Sequence, residues 1–168
     1  TISKYDSNNN LIEKYDYRSD GDLKNYYTYK YDSNNNEIVT GYDSDGKLNV
    51  KTILKYDSNN NLIEQSKYDS YGDLVFKFIF KYDSNNNIIE KSTSYSFKEL
   101  DNKFTYKYDS NNNLIERSYY DSDGKLNMKT ISKYDSNNNR IEFLEYNVEY
   151  KFGSIQERLV RKYIHEYE

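Results

Sequence analysis

Apolar and polar residues alternate along most of this chain with a period of two. The stretch Leu74–Tyr82, LVFKFIFKY, places Leu74, Phe76, Phe78, Phe80 and Tyr82 on one side of an extended strand and Val75, Lys77, Ile79 and Lys81 on the other. Comparable runs are separated by short polar stretches, of which YDSNNN is the commonest. It recurs unchanged from Tyr5, Tyr31, Tyr56, Tyr82, Tyr108 and Tyr134, at intervals of 26, 25, 26, 26 and 26 residues. A fixed period of this length marks a repeat architecture, in which each unit buries its apolar surface against its neighbours.

Each repeat is two unequal halves. Leu or Ile follows YDSNNN, as in Leu11–Ile12, Leu62–Ile63, Ile88–Ile89 and Leu114–Ile115, and a second tyrosine comes twelve residues after the first at Tyr17, Tyr68, Tyr120 and Tyr146. That tyrosine opens a second turn signal, clearest as YDSDGKL at Tyr42–Leu48 and Tyr120–Leu126. Asp-Ser-Asp-Gly suits a type I turn followed by a left-handed residue, because the first Asp accepts from the backbone two residues on and Gly tolerates positive φ. In YDSNNN the left-handed position falls to Asn9, Asn35, Asn60, Asn86, Asn112 or Asn138, and Asn is the usual substitute for Gly there. Such turns close hairpins with Tyr directly opposite Leu.

One-to-one pairing out from these turns predicts the faces. Tyr and Leu share a first face, A, with Glu13, Glu64, Glu90, Glu116 and Glu142. The other face, B, carries Lys4, Lys30, Lys55, Lys81, Lys107 and Lys133, with Ile63 opposite Ile79 and Ile115 opposite Ile131. Neither face is apolar enough for the inside of a sandwich. The expected fold is all-β: an elongated antiparallel hairpin meander, single-layered or openly coiled, of about thirteen strands of 7–9 residues. At ~4.8 Å per strand it would run to ~60 Å. Six hairpin repeats are expected over 1–145 and a degenerate closing repeat over 146–168.

Three departures qualify this scheme. The 25-residue interval removes a residue before Tyr42, so a bulge or irregularity beside Gly41 is expected to restore side-chain parity. SYSFKELDN lacks glycine and predicts a looser turn. Ile155–Tyr163 aligns with the strand Leu126–Tyr134, although IQERLVRKYIHEY also fits helical spacing.

The recurring Tyr-Asp-x-x-Gly/Asn-x-Leu signal, from Tyr5 to about Tyr163, resembles the YD repeats of bacterial surface and secreted proteins of the RHS type. It is also similar to the shorter MORN hairpin repeats. The resemblance implies strips of β-hairpins used for scaffolding, encapsulation or adhesion, an extracellular or cell-surface location, and no catalytic residue within the repeat. Asn in place of Gly in half the turns departs from the family pattern.

Composition narrows the function. The chain of 168 residues has 24 basic and 28 acidic side chains, a balance unlike the basic excess of nucleic-acid binders. It has no apolar run near the ~18 residues of a membrane-spanning helix. With no cysteine and a single histidine, His165, neither a disulfide framework nor a histidine zinc cluster can be assembled. Asp6, Asn8 and Asn10 have the first three spacings of a calcium loop, but Leu11 stands where its glycine belongs and turn formation accounts for them better. Each Lys of face B has an Asp two residues on, as Lys4 has Asp6, which predicts a neutralised, solvated face.

The chain is therefore read as non-enzymatic, with no cofactor. Its candidate interaction face is the aromatic row Tyr5, Tyr17, Tyr27, Tyr29, Tyr31, Tyr56, Tyr68, Phe76, Phe78, Phe80, Tyr82, Tyr106, Tyr108, Tyr120 and Tyr134. The partner expected for it is a protein or a larger assembly of the same surface system. Carbohydrate binding along the Tyr ladder is the alternative.

Overall fold

The alternating runs become strands and the polar stretches become the turns between them. The computed structural model describes residues 1–96, 101–151 and 153–165. They form β1 (Ile2–Tyr5), β2 (Leu11–Tyr17), β3 (Leu23–Tyr31), β4 (Glu37–Asp43), β5 (Leu48–Tyr56), β6 (Leu62–Tyr68), β7 (Leu74–Tyr82), β8 (Ile88–Tyr95), β9 (Asn102–Tyr108), β10 (Leu114–Tyr120), β11 (Leu126–Tyr134), β12 (Arg140–Lys151) and β13 (Ser154–Ile164). Among the described residues there is no helix. The thirteen strands make one open antiparallel sheet in which sheet order equals chain order. The C-terminal segment is thus a strand, and the helical alternative for it falls away.

Contacts divide the strands into two units, Thr1–Ile79 with Ser94–Lys98, and Phe80–Thr93 with Glu99–Glu168. β12 runs unbroken from Arg140 to Lys151, across the boundary expected between residues 145 and 146. Of SYSFKELDN, where a looser turn was expected, residues 97–100 lie outside the described residues.

The turns have the predicted geometry. Asn9, Asn35, Asn60, Asn86, Asn112 and Asn138 have φ between 58° and 65°, and the Asp-x-x-Gly turns place Gly46, Gly72 and Gly124, and the Arg18–Gly21 turn Gly21, in the same left-handed region. Asp6 N–H donates to the Asn10 carbonyl at 2.9 Å and Asn9 N–H to the Asp6 carbonyl at 3.1 Å, a pattern repeated at the other turns. Tyr5 faces Leu11, Tyr56 faces Leu62, Tyr108 faces Leu114 and Tyr120 faces Leu126, as the register predicted.

One step beyond each turn the pairing departs from one-to-one. Lys4 faces Glu13 while Tyr5 faces Leu11, so Ile12 has no counterpart and forms a β-bulge. The same step leaves over Lys24, Asn49, Ile63, Val75, Ile115, Asn127 and Ile141. The bulge corrects three expectations drawn from strict alternation. Ile79 faces Glu64 rather than Ile63, and Ile131 faces Glu116 rather than Ile115. Glu13, Glu64, Glu116 and Glu142 stand across from lysines and so belong to face B. Lys4 is neutralised by Glu13 rather than by Asp6, whose carboxylate is held by its own turn.

The short repeat adjusts at the same place. β3 and β4 pair without any shift, Tyr31 facing Glu37 and Lys30 facing Ile38. The missing residue is the bulged one, so parity survives without a compensating bulge. The shift beside Gly41 is the one its own turn carries. Gly41 has a different reason to be glycine: a Cβ there would lie 2.9 Å from Val50 Cγ1 and 3.0 Å from the Tyr27 ring, which crosses the strand at that point.

No single core holds this sheet. Among the described residues Val148, at 7% exposure, is the one buried hydrophobic, and the others buried are Gly41 and the small polar residues Ser66, Thr93, Ser118 and Ser132. Ser66 and Ser118 lie directly opposite Lys77 and Lys129, whose ammonium groups pair with Glu64 and Glu157.

Candidate interaction face

The three asparagines of YDSNNN have separate tasks. The first gives its backbone N–H to the Asp carboxylate, as Asn8 does to Asp6 at 2.9 Å. The third gives both its backbone N–H and its side-chain amide, as Asn113 does to Asp109 at 2.9 and 3.1 Å. The second, in the left-handed conformation, offers its side-chain oxygen to the preceding turn. Asn112 Oδ1 accepts from Asn87 at 2.9 Å, and Asn138 Oδ1 accepts from Asn113 at 2.8 Å. Glycine would satisfy the backbone at these positions but could not link one turn to the next.

These donors hold Asp6, Asp32, Asp57, Asp83, Asp109 and Asp135 below the ordinary carboxylate range. The leading cause is the Asn10 side-chain amide at Asp6 and the Asn61 backbone N–H at Asp57. The turn tyrosines are tied in as well. Tyr31, Tyr108 and Tyr134 each donate a hydroxyl to the first carbonyl of the preceding strand, those of Leu11, Ile88 and Leu114, at 3.0–3.1 Å. Burial raises the hydroxyl pKa of Tyr31 and Tyr108.

Face B is an ion-pair face. Lys4–Glu13 and Lys55–Glu64 in the first unit, and Lys81–Glu90, Lys107–Glu116 and Lys133–Glu142 in the second, lie at 2.6–3.0 Å. Glu64 also meets Lys77 at 3.0 Å and Glu142 meets Lys162 at 3.2 Å, so each joins three strands. Burial pushes the Glu64 carboxyl up, and the hydrogen bonds from Lys77 and Lys55 outweigh it and bring it down. Tyr15, Tyr26 and Tyr42 stack on this face with ring centroids 5.7 and 4.7 Å apart.

Within each unit, face A is the side bearing the YDSNNN tyrosines. Tyr5, Tyr27, Tyr29, Tyr31, Tyr56, Phe76, Phe78, Phe80, Tyr82, Tyr106, Tyr108 and Tyr134 stand on it. Three residues of the predicted row, Tyr17, Tyr68 and Tyr120, do not: the bulge at Ile12, Ile63 and Ile115, after the preceding YDSNNN turn, turns them to face B. Tyr120, for example, faces Lys103, whose ammonium lies 4.8 Å from its ring centre. Face A rings are mostly half-buried by their neighbours, Phe76 and Phe78 having centroids 4.7 Å apart.

Periodicity passes over the positions where a column is broken. Counting back from each YDSNNN tyrosine, one column reads Ser3, Tyr29, Leu54, Phe80, Tyr106, Ser132 and another Thr1, Tyr27, Thr52, Phe78, Phe104, Thr130. The column of Leu11, Leu62, Ile88 and Leu114 admits Glu37 and Arg140. Burial raises the Glu37 carboxyl. Around Thr130, Ser132 and Arg140 the sheet leaves a cavity of about 240 Å³, also lined by Arg117, Tyr134, Phe143 and Glu145. Among the residues lining it, Arg140 breaks its column.

No family model matches this sequence, and no curated protein does. Among solved structures the fold is similar to that of TcdB2-TccC3 crystallised with Cdc42, at TM-score 0.50 and 16% identity over 94% of this chain. TcdB2-TccC3 alone gives the same TM-score, identity and coverage. The chain spans 10% of the length of either neighbour, and the likeness shows a shared fold.

Proposed function

We propose that this chain is a non-enzymatic structural module, a length of β-hairpin strip within a larger extracellular or cell-surface assembly. The observation that carries it is how the repeated polar groups are spent. Asp carboxylates, Asn amides and Tyr hydroxyls of YDSNNN bond to other parts of the sheet, and the lysines of face B bond to glutamates across it. Repetition here maintains the sheet. The likeness to TcdB2-TccC3, itself a multi-protein structure, and the Tyr-Asp repeat pattern agree with an RHS-like strip.

The second reading is carbohydrate binding by face A, favoured by the half-buried aromatic rings it carries within each unit, such as Tyr29 and Phe78 in the first and Phe80 and Tyr106 in the second. A glycan array and equilibrium binding with neutral oligosaccharides separate the two. The structural reading expects no saturable binding that depends on Tyr29, Phe78 or Tyr106. Binding that disappears in Tyr29→Ala, Phe78→Ala and Tyr106→Ala, with the strand spectrum intact, replaces it with the carbohydrate reading.

A further inference from the structure

We propose that the pocket around Glu37 in the first unit binds the primary ammonium group of a small organic amine. It goes beyond the structural reading above, which concerns polar groups bonded within the sheet; this site is made by polar groups that are not.

The shortened repeat creates the site. Where the bulge is present, tyrosine faces leucine and the lysine before it faces glutamate, as Tyr5 faces Leu11 and Lys4 faces Glu13. Without the bulge, Tyr31 faces Glu37 and Lys30 faces Ile38. The acid therefore stands on face A, with Lys30 on the opposite side of the sheet. Leu11, Leu62, Ile88 and Leu114 hold the same column in other repeats. Glu37 is half-buried, and its side chain makes no hydrogen bond or ion pair among the described residues. A carboxylate drawn partly out of water without a cation is unfavourable, and the positive charge of a ligand would relieve it.

Glu37 shares a pocket of about 330 Å³ with Tyr31, Tyr56, Asn10, Asn35 and Asn60. Asn35 and Asn60 hold the turn position from which Asn112 and Asn138 accept hydrogen bonds in the second unit. Their own side chains make none among the described residues. Likewise Tyr31, Tyr108 and Tyr134 donate their hydroxyls to the preceding strand, whereas the Tyr56 hydroxyl has no hydrogen bond among the described residues. Burial, and then the Glu37 charge, raise the hydroxyl pKa of Tyr31 and Tyr56, so both rings lie within the field of the carboxylate. A primary ammonium carries three N–H donors and one positive charge. The Glu37 carboxylate, the amide oxygens of Asn35 and Asn60 and the Tyr56 hydroxyl supply acceptors for it, and the tyrosine rings attract a cation. A quaternary ammonium, with no N–H, would leave those amide oxygens unpaired, and Glu37 would repel an anion.

The test is NMR titration of the whole chain near neutral pH with butylammonium, with butanol as its neutral counterpart, and with tetramethylammonium. Saturable butylammonium binding at least about tenfold tighter than either of the others is expected, with shift changes centred on Asn35, Tyr56 and Asn60. Glu37→Leu installs the residue found at Leu11 and Leu62, so it should fold at least as stably and lose the binding. Glu37→Gln keeps the shape without the charge and should weaken binding by about tenfold or more. It decides the matter if Glu37→Leu fails to fold. Absence of saturable butylammonium binding, a smaller preference over butanol or tetramethylammonium, or binding undisturbed by loss of the Glu37 charge would each overturn the proposal.

Discussion

At the scale of single residues, asparagine outperforms the glycine it replaces. Asn112 tolerates φ of 62° and also accepts hydrogen bonds from Asn85 and Asn87 in the preceding turn. Asn112→Ala should lower stability by about 1 kcal/mol, because alanine resists the left-handed region and bonds to nothing there. Asn112→Gly should retain the backbone and lose the link, giving a urea midpoint between alanine and wild type. If glycine equals wild type, the turn-to-turn bonds contribute nothing. The turn aspartates give a pH signature. Their carboxyls lie below the usual range, so the stability they contribute is complete above about pH 5 and is lost as acid protonates them. The urea midpoint should fall steadily between about pH 4 and pH 2. Glu37, raised by burial, acts in the opposite sense, its contribution weakening as pH rises.

At the scale of the strand pair, the bulge is the controlling device. It puts Glu116 across from Lys107 and sets Ile115 outside the pairing. The natural precedent is β3–β4, which lacks that residue and keeps its register. Deletion of Ile115 should therefore leave a folded, strand-rich protein with the Lys107–Glu116 pair in place. Deletion of Ser118, inside β10, should shift every later pairing toward the turn and unfold the repeat. Circular dichroism with hydrogen exchange distinguishes these, and equal tolerance of both deletions would refute the assigned role.

These pairs also show what was readable from the chain. The turn chemistry, the Tyr–Leu pairing, the strand order and the left-handed asparagines follow from local rules and were legible. The bulge was not, because Leu114–Ile115 gives two apolar residues in succession and nothing in their chemistry says which is surplus. Every face assignment past the turn inherited that error, including the side on which Tyr68 and Tyr120 stand. The cavity escaped for another reason: a search for repetition averages away Arg140, which stands in a column of leucine and isoleucine.

At the scale of the whole molecule, stability is spread over equivalent cross-strand pairs with little deep burial. Val148 is the single buried hydrophobic among the described residues. Unfolding then exposes less apolar surface per residue than in an ordinary domain. Calorimetry should give a heat-capacity increment below the usual ~12 cal/mol/K per residue. A value at or above that figure would point to a core this sheet does not have.

The strand order has a consequence for how the protein reaches its folded state. Each strand bonds only with those just before and after it in the chain, so every loop to be closed is short and none spans the molecule. The chain also contains no proline, which removes the slow peptide-bond isomerisation that delays many refolding reactions. Such a polypeptide can add hairpins in succession as it leaves a ribosome or a translocation channel, needing only the strand already in place as template.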